Sequence, residues 1–281
     1  MSVITMHKYH GLGNDYLVLD PNLNQIRMQE RKIRLLCRRN FGVGADGILY
    51  GPLPGKEKPE VLIYNSDGSE AAESGNGVRI FAKYLKDFGY VAEQKFILAT
   101  KSGDVEVEFL DEDGNWMRVN MGKADFLHAS LTADRSLHEI LNEPLTFHGN
   151  LYNSTCLSVG TPNCVIMTED VSCKNAKELG PYVENAAYFS GRMNLQLCNV
   201  VNREKLKIEI YERGSGYTLA SGTGACAAAA AAFRMGLTEN KMAVEMPGGE
   251  LLIEITEDGT IYMTGTVKRV GTFTLAEDFF A

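Results

Sequence analysis

The pattern Ser-Gly-x-Gly occurs twice, at Ser74-Gly75-Asn76-Gly77 and at Ser221-Gly222-Thr223-Gly224, 147 positions apart, and each copy runs into a helix-like stretch. The same offset pairs Gly13 with Gly160, Val18 with Val165, Tyr64 with Tyr211 and Gly89 with Gly236. Self-similarity at a fixed spacing constrains a fold more than any single motif, because one plan has to fold twice within one chain. Each half reads as a β-like run (residues 61–64 and 208–211), a Gly-containing loop, Ser-Gly-x-Gly, and a helix that stops at Gly89 or Gly236.

A helix start offers backbone N–H groups without intrahelical partners and a partial positive charge of roughly half an elementary unit. Such a place binds anions, and glycines there let a ligand approach the backbone closely. Ser74 and Ser221 are good capping residues, and capping alone would account for one isolated copy. Two copies at a constant spacing point further, to two hydroxyls and two helix starts serving one small carboxylate ligand held between two domains, a common position for pockets.

Composition narrows the class. The chain has 281 residues, of which 44% are hydrophobic and 23% charged, with a net charge of -8. That suits one large or two modest domains. No Lys/Arg stripe accompanies the acidic balance, which argues against nucleic acid as a partner; Arg31-Lys32-Ile33-Arg34 with Arg38-Arg39 reads as the exposed face of a helix. The N-terminal residues lack a charged-then-apolar signal pattern and no apolar run has membrane-spanning length, so a cytoplasmic location is expected. The six cysteines (Cys37, Cys156, Cys164, Cys173, Cys198, Cys226) contain no CxxC and read as free thiols. The five histidines show no HExxH spacing, and no metal site is expected.

The remainder is strand-rich. Hairpin-like segments follow each central helix: residues 96–98, 105–109 and 116–120 around Asp113-Gly114, then residues 243–246, 251–255 and 261–264 around Asp258-Gly259. Residues 226–232 are nearly all alanine and read as a helix buried on every side. The corresponding stretch, residues 78–88, carries Lys83, Lys86 and Asp87 and reads as less fully enclosed. Residues 25–39 and 176–188 are expected to form outer amphipathic helices. The join between halves is expected near residues 122–126.

Six ordered motifs carry a resemblance that runs the length of the chain. Gly11-Leu12-Gly13-Asn14-Asp15-Tyr16, Gly42-Val43-Gly44-Ala45-Asp46-Gly47, Asn65-Ser66-Asp67-Gly68-Ser69-Glu70-Ala71, Gly75-Asn76-Gly77-Val78-Arg79, Tyr211-Glu212-Arg213-Gly214 and Gly222-Thr223-Gly224-Ala225 resemble the diaminopimelate epimerase family. The resemblance implies an α+β fold of two pseudo-symmetric domains, each a β-barrel closed around a central helix. Domain one would comprise residues 1–122 with 268–281, the strand-like residues 272–275 returning to complete it, and domain two residues 123–267. It further implies a homodimer and a cofactor-independent site in which a thiolate removes an α-proton from one face of an amino acid and a thiol returns one on the other. Asn14, Asn65, Asn76, Thr161, Asn194, Arg213 and the backbone at Gly75, Gly222 and Thr223 would hold the substrate, Arg213 offering a fork for a carboxylate.

The sequence departs from that pattern at the chemistry. The family's two catalytic cysteines fall on Ser74 and Ser221, its supporting histidine on Asn163 of Thr161-Pro162-Asn163, and a usual glutamate on Tyr217, while Glu212 is retained. A thiol titrates near 8.5 and an aliphatic hydroxyl near water's roughly 15.7, and a handicap of even about four units is roughly ten-thousandfold in base availability. Glu212, Tyr217, Asn163 and the two serines are therefore the candidate catalytic residues. Three readings follow: a cofactor-independent isomerase acting at carbon of a small amino-acid or carboxylate substrate, a diaminopimelate epimerase with an unrecognised base, or an inactive amino-acid-binding paralogue.

Overall fold

The structure, a computed structural model, describes residues 3–71, 74–128, 131–132 and 138–280. The chain divides into two compact units, residues 1–119 with 265–281 and residues 120–264.

Unit 1 holds β1 (Thr5–Gly11), β2 (Asn14–Leu19), α1 (Glu30–Cys37), β3 (Gly47–Tyr50), β4 (Leu62–Asn65), β5 (Glu70–Ala71), α2 (Gly75–Asp87), β6 (Lys95–Thr100), β7 (Gly103–Phe109) and the first half of β8 (Trp116–Lys123). Unit 2 holds β9 (Ile140–Phe147), β10 (Asn150–Val159), β11 (Thr161–Met167), α3 (Cys173–Glu184), β12 (Asn194–Asn202), β13 (Lys205–Glu212), β14 (Gly216–Thr218), α4 (Gly222–Arg234), β15 (Lys241–Met246), β16 (Gly249–Ile255) and most of β17 (Thr260–Thr266). The last strand, β18 (Lys268–Thr274), returns to unit 1 and pairs antiparallel with β1, Thr274 opposite Thr5.

Each unit repeats the other's topology. In unit 1, β1 and β2 form an antiparallel pair, β2 runs parallel to β3, and β4 and β5 follow antiparallel; β6, β7 and β8 continue as a meander. In unit 2, β10 and β11 are antiparallel, β11 is parallel to β12, and β13 and β14 follow antiparallel, with β15, β16 and β17 as the meander. Both α2 and α4 are 13 residues long, and their bounds differ by the offset of 147 read from the sequence. Gly89 and Gly236 close them at φ 70° and 71°, a left-handed turn that only glycine enters without cost. This is the mixed α+β fold of the resemblance.

The sheet β1–β2–β3 is covered on one face by α1, whose Ile33 and Leu36 pack with Met6, Leu17, Leu19 and Ile48, while α2 packs against β1 and β2. In unit 2, α3 buries Ala176, Leu179 and Val183 with Cys156, Cys164, Leu195 and Leu197. Its α4 touches β10, β11, β12, β13, β15 and β16, and Ala225 through Ala232 are all buried. Small side chains allow that approach from every direction.

Three expectations need correction. The outer helix of unit 1 spans Glu30–Cys37 only: Gln29 is extended at its start and Arg38 at its end, while Asn24 is occupied in bonds to Thr5 and Asp20. The outer helix of unit 2 starts three residues earlier than expected, because Ser172 caps it by accepting from the Asn175 N–H, and ends at Glu184. Helix α2 is as enclosed as α4, buried from Gly75 through Leu85. The charge of Lys83 is tolerated because it pairs with Asp87 and donates to the Asp113 carbonyl at 2.7 Å.

Candidate active site

Both Ser-Gly-x-Gly segments fold alike. Ser74 is extended at φ -153° and its Oγ accepts from the Gly77 N–H at 3.0 Å; Ser221 is extended at φ -139° and its Oγ accepts from the Gly224 N–H at 3.2 Å. Each serine is thus an N-cap, and neither helix carries an acidic residue in its first turn. The first turn of each helix therefore supplies no carboxylate of its own to the positive end of the dipole.

Around that shared backbone the side chains differ. In unit 1 the Tyr16 hydroxyl lies 3.2 Å from Ser74 Oγ. Asn14, at the start of β2, donates to Asp46 at 2.9 Å and accepts from Asn76 at 3.0 Å, and Asn76 in turn accepts from the buried Arg79 at 2.7 Å. Asp46 also accepts from the Asp15 N–H, and Arg39 bridges Asp15 and Asp46 while Lys8 pairs with Asp15 at 2.8 Å. Burial opposes the Asp15 charge, yet Arg39 and Lys8 overcome it and hold the carboxyl well below the usual range. Asp46 moves the other way, raised by burial and by Asp15 beside it.

In unit 2 the corresponding hydrogen bonds join amides and hydroxyls. Asn163 donates to the Thr161 carbonyl at 2.6 Å, and its Oδ1 accepts from Gln196 at 3.0 Å and Asn194 at 3.3 Å. Thr161 Oγ1 accepts from Asn194 and donates to Thr223 Oγ1 at 3.2 Å, which lies 3.5 Å from Ser221 Oγ. Asn194 Oδ1 accepts from the Arg213 N–H at 2.9 Å. Asn163, Gln196, Asn194, Ser221 and Thr223 are all buried. A Cβ on Gly224 would stand 2.9 Å from Gln196 Nε2, so the missing side chain is what lets that amide reach beneath the helix start.

The sequence-derived candidates therefore fall into groups. Ser74, Gly75, Asn76 and Asn14 share the unit 1 helix start; Ser221, Gly222, Thr223, Thr161, Asn163, Asn194 and the Arg213 backbone share that of unit 2. Asn65 and Glu212 end the equivalent strands β4 and β13; Asn65 donates to Ser69 Oγ at 2.9 Å. Tyr217 is engaged elsewhere, donating to Glu209 at 2.7 Å. Its phenol is pushed up by burial, then by Glu209 and Cys173, which keeps it protonated near neutrality and makes it a weak base. Among the described residues the Arg213 guanidinium is exposed and has no ion-pair partner; burial of part of the group and the nearby Arg192, itself paired with Glu184, lower its pKa.

No thiol stands at either helix start. Cys226, inside α4, is buried, and burial pushes the Cys37 and Cys198 thiols up to about 12. Among the described residues no group of His, Cys, Asp and Glu is placed to hold a metal ion, and no helix is long and apolar enough to cross a membrane. Sequence reasoning passed over Tyr16, Gln196 and Gly47 as site residues. The offset contained the signal for the first, since position 16 plus 147 is position 163.

Comparison with known proteins gives a consistent set. The sequence profile described as Diaminopimelate epimerase matches residues 6–127 and 155–270. A protein of Nostoc sp. (strain PCC 7120 / SAG 25.82 / UTEX 2576) named Diaminopimelate epimerase 2 is 41% identical over 276 residues, covering 98% of this chain and 96% of its own. A probable proline racemase from Agrobacterium radiobacter, solved with bound carbonate, superposes with a TM-score of 0.73 at 16% identity, covering 99% of this chain and 94% of its own. A hydroxyproline epimerase from Agrobacterium vitis, solved with trans-4-hydroxy-L-proline, gives 0.71 at 15% identity, covering 100% of this chain and 93% of its own.

Proposed function

The chain belongs to the diaminopimelate epimerase family, and on that premise we propose that it is an isomerase that moves a proton at carbon of a small amino-acid or carboxylate substrate with its own side chains. The observation that carries this reading is the duplicated, serine-capped helix start with no acidic residue in its first turn. An anion docked there takes backbone N–H bonds and the helix field together. Asn14, Asn65, Asn76, Thr161, Asn194 and Thr223, with the backbone of Gly75 and Gly222, supply polar contacts. Arg213, exposed and without an ion-pair partner among the described residues, is available to a second acidic group on the ligand. Proton transfer falls to Ser74 and Ser221, with Glu212 as an assisting group; Asn163 and Tyr217 orient and close the surroundings.

Diaminopimelate is the first substrate to try, given the relatives' names, followed by proline and trans-4-hydroxyproline. The test is incubation in heavy water with each compound, read by mass spectrometry for deuterium at carbon. Incorporation into one of them supports the isomerase; none into any, from folded protein, sinks it. One observation favours a second reading, a binding protein that kept the site and lost the chemistry: the hydrogen bonds that link Thr161, Asn163, Asn194, Gln196 and Thr223 beside Ser221 run between hydroxyls and carboxamides. Calorimetric binding of a carboxylate without exchange would select it. We further propose a cytoplasmic homodimer without nucleic-acid partners, for which light scattering should give twice the chain mass.

A further inference from the structure

Tyr16 and Asn163 occupy the same place in the two units. Each lies on the second strand of its repeat, and each is registered on the parallel neighbour, Tyr16 opposite Gly47 and Asn163 opposite Asn194. The volumes are exchanged between those two pairs. A Cβ on Gly47 would stand 2.6 Å from Tyr16 Cε1, so the phenol ring lies where a side chain at position 47 would be. In unit 2 that position carries Asn194, and the smaller Asn163 leaves it room. Unit 1 is thus built around a large ring whose oxygen reaches the helix start: Tyr16 is buried at 7% exposure, and its hydroxyl is 3.2 Å from Ser74 Oγ. The position where the family pattern sets the supporting histidine in unit 2 has, in unit 1, a titratable counterpart in direct contact with the serine.

We propose that Tyr16 is a positioning residue that acts through Ser74 as its proton acceptor and donor, an inference that rests on the isomerase reading above. Ser74 Oγ already accepts from the Gly77 N–H, which fixes its rotamer and stabilises negative charge on the oxygen. As the substrate C–H bond breaks, its proton passes to Ser74 Oγ and the electron pair stays on carbon, delocalised into the adjacent carboxyl group. The relay starts from molecules in which the Tyr16 phenol has given its proton to solvent water; the Ser74 O–H bond then breaks in the same step as the C–H bond, and that proton passes to the Tyr16 oxygen, which ends as neutral phenol. Return of the proton to carbon reverses these transfers. A phenol titrates ordinarily near 10 and an aliphatic hydroxyl near roughly 15.7, so of the two oxygens the phenol is the less costly to ionise. The general chemistry is that of a weak nucleophile or base activated by a neighbour.

The experiment compares the unmodified chain with Tyr16→Phe, Ser74→Cys and the two combined, using deuterium incorporation into diaminopimelate, proline and trans-4-hydroxyproline as the readout. Tyr16→Phe keeps the ring against Gly47 and should lower kcat by about 10²- to 10⁴-fold, the usual scale of acid–base assistance, with KM changed less than about threefold. With Ser74→Cys the same Tyr16→Phe change should cost less than about tenfold, because a thiol near 8.5 needs no phenolate. Tyr16→His, which returns a titratable ring, should recover part of the rate. A Tyr16→Phe rate within about threefold of the unmodified chain overturns the proposal while leaving the isomerase intact. An equal loss in the Ser74 and Ser74→Cys backgrounds also overturns it, since that is what a packing role predicts. If Tyr16→Phe does not fold, Tyr16→His against Tyr16→Asn decides: a rate no better with His than with Asn counts against the relay. Absence of exchange by the unmodified chain on all three compounds fails the isomerase reading itself, a result distinct from either of these.

Discussion

The two helix starts share a backbone and differ in chemistry. At Ser74 the surroundings are a phenol, a buried guanidinium and a charged group of Lys8, Asp15, Arg39 and Asp46; at Ser221 they are threonine hydroxyls and carboxamides. Backbone geometry came with the duplicated plan, because an N-cap serine and two glycines specify it locally. The electrostatics came from side chains one layer out, which the two copies were free to vary. Two helix starts equivalent in cap geometry thus differ in the side chains that surround their serines. Ser74 is bonded to a group that ionises, and Ser221 to a threonine hydroxyl.

The largest effect should come from erasing that difference in favour of thiols. Ser74→Cys with Ser221→Cys and Asn163→His should raise diaminopimelate epimerisation by about 10³- to 10⁴-fold, with the single changes giving far less than their share, since such groups act as a unit. A chain that already inverts diaminopimelate at ordinary enzymatic turnover before any change contradicts this account of the serines. Next in size, Ser74→Ala should lower deuterium exchange by at least about 10²-fold, while Ser221→Ala should cost less, because the Ser221 hydroxyl is bonded to Thr223 and the Gly224 N–H where Ser74 has a phenol. Equal losses at the two serines would remove the asymmetry.

Smaller effects concern stability. Asp15→Asn should cost about 1–3 kcal/mol at pH 7, since it leaves Arg39 and Lys8 without their shared carboxylate. The Asp15 carboxyl is held low in the folded chain, so its contribution is complete above the ordinary carboxylate pKa of about 4 and fades as pH falls through the folded value. Denaturant melts of the two proteins should therefore converge between pH 4 and pH 2, and a gap that persists unchanged to pH 2 would point to packing as its cause. The smallest effect is the cap itself: Ser74→Ala and Ser221→Ala should each cost about 1 kcal/mol in the same melts, equal in the two units. A marked inequality there would place extra structural weight on the Tyr16 or Thr223 contact.

Much of the fold was legible because its signals are local. The 147-residue offset, the serine caps and the glycine stops located α2 and α4, and the Asp-Gly turns located the hairpins on either side. The outer helices were mis-bounded where tertiary bonds took over: Ser172 starts α3 early, and Asn24 is bonded away from α1. Lys83 misled the reading of α2, since a charged residue in a sequence window says nothing about a carboxylate one turn away and a carbonyl at Asp113. Within the site, the serines and the Asn163–Thr161 pair were readable from motif and resemblance. Gln196 was not, because it reaches Asn163 across a parallel strand pair with no sequence motif to announce it.

By itself the sequence determined the duplication, the two capped helix starts, the family, and the serines at positions 74 and 221, since each of these is a property of residue type and spacing. Only the tertiary structure decided which groups those serines face. Whether Tyr16 meets Ser74 depends on Gly47 giving up a side chain on the adjacent strand, and whether Tyr217 is free to act depends on Glu209 claiming its proton. Such contacts are set by register and by volume exchanged between neighbouring strands, quantities that no spacing along the chain records.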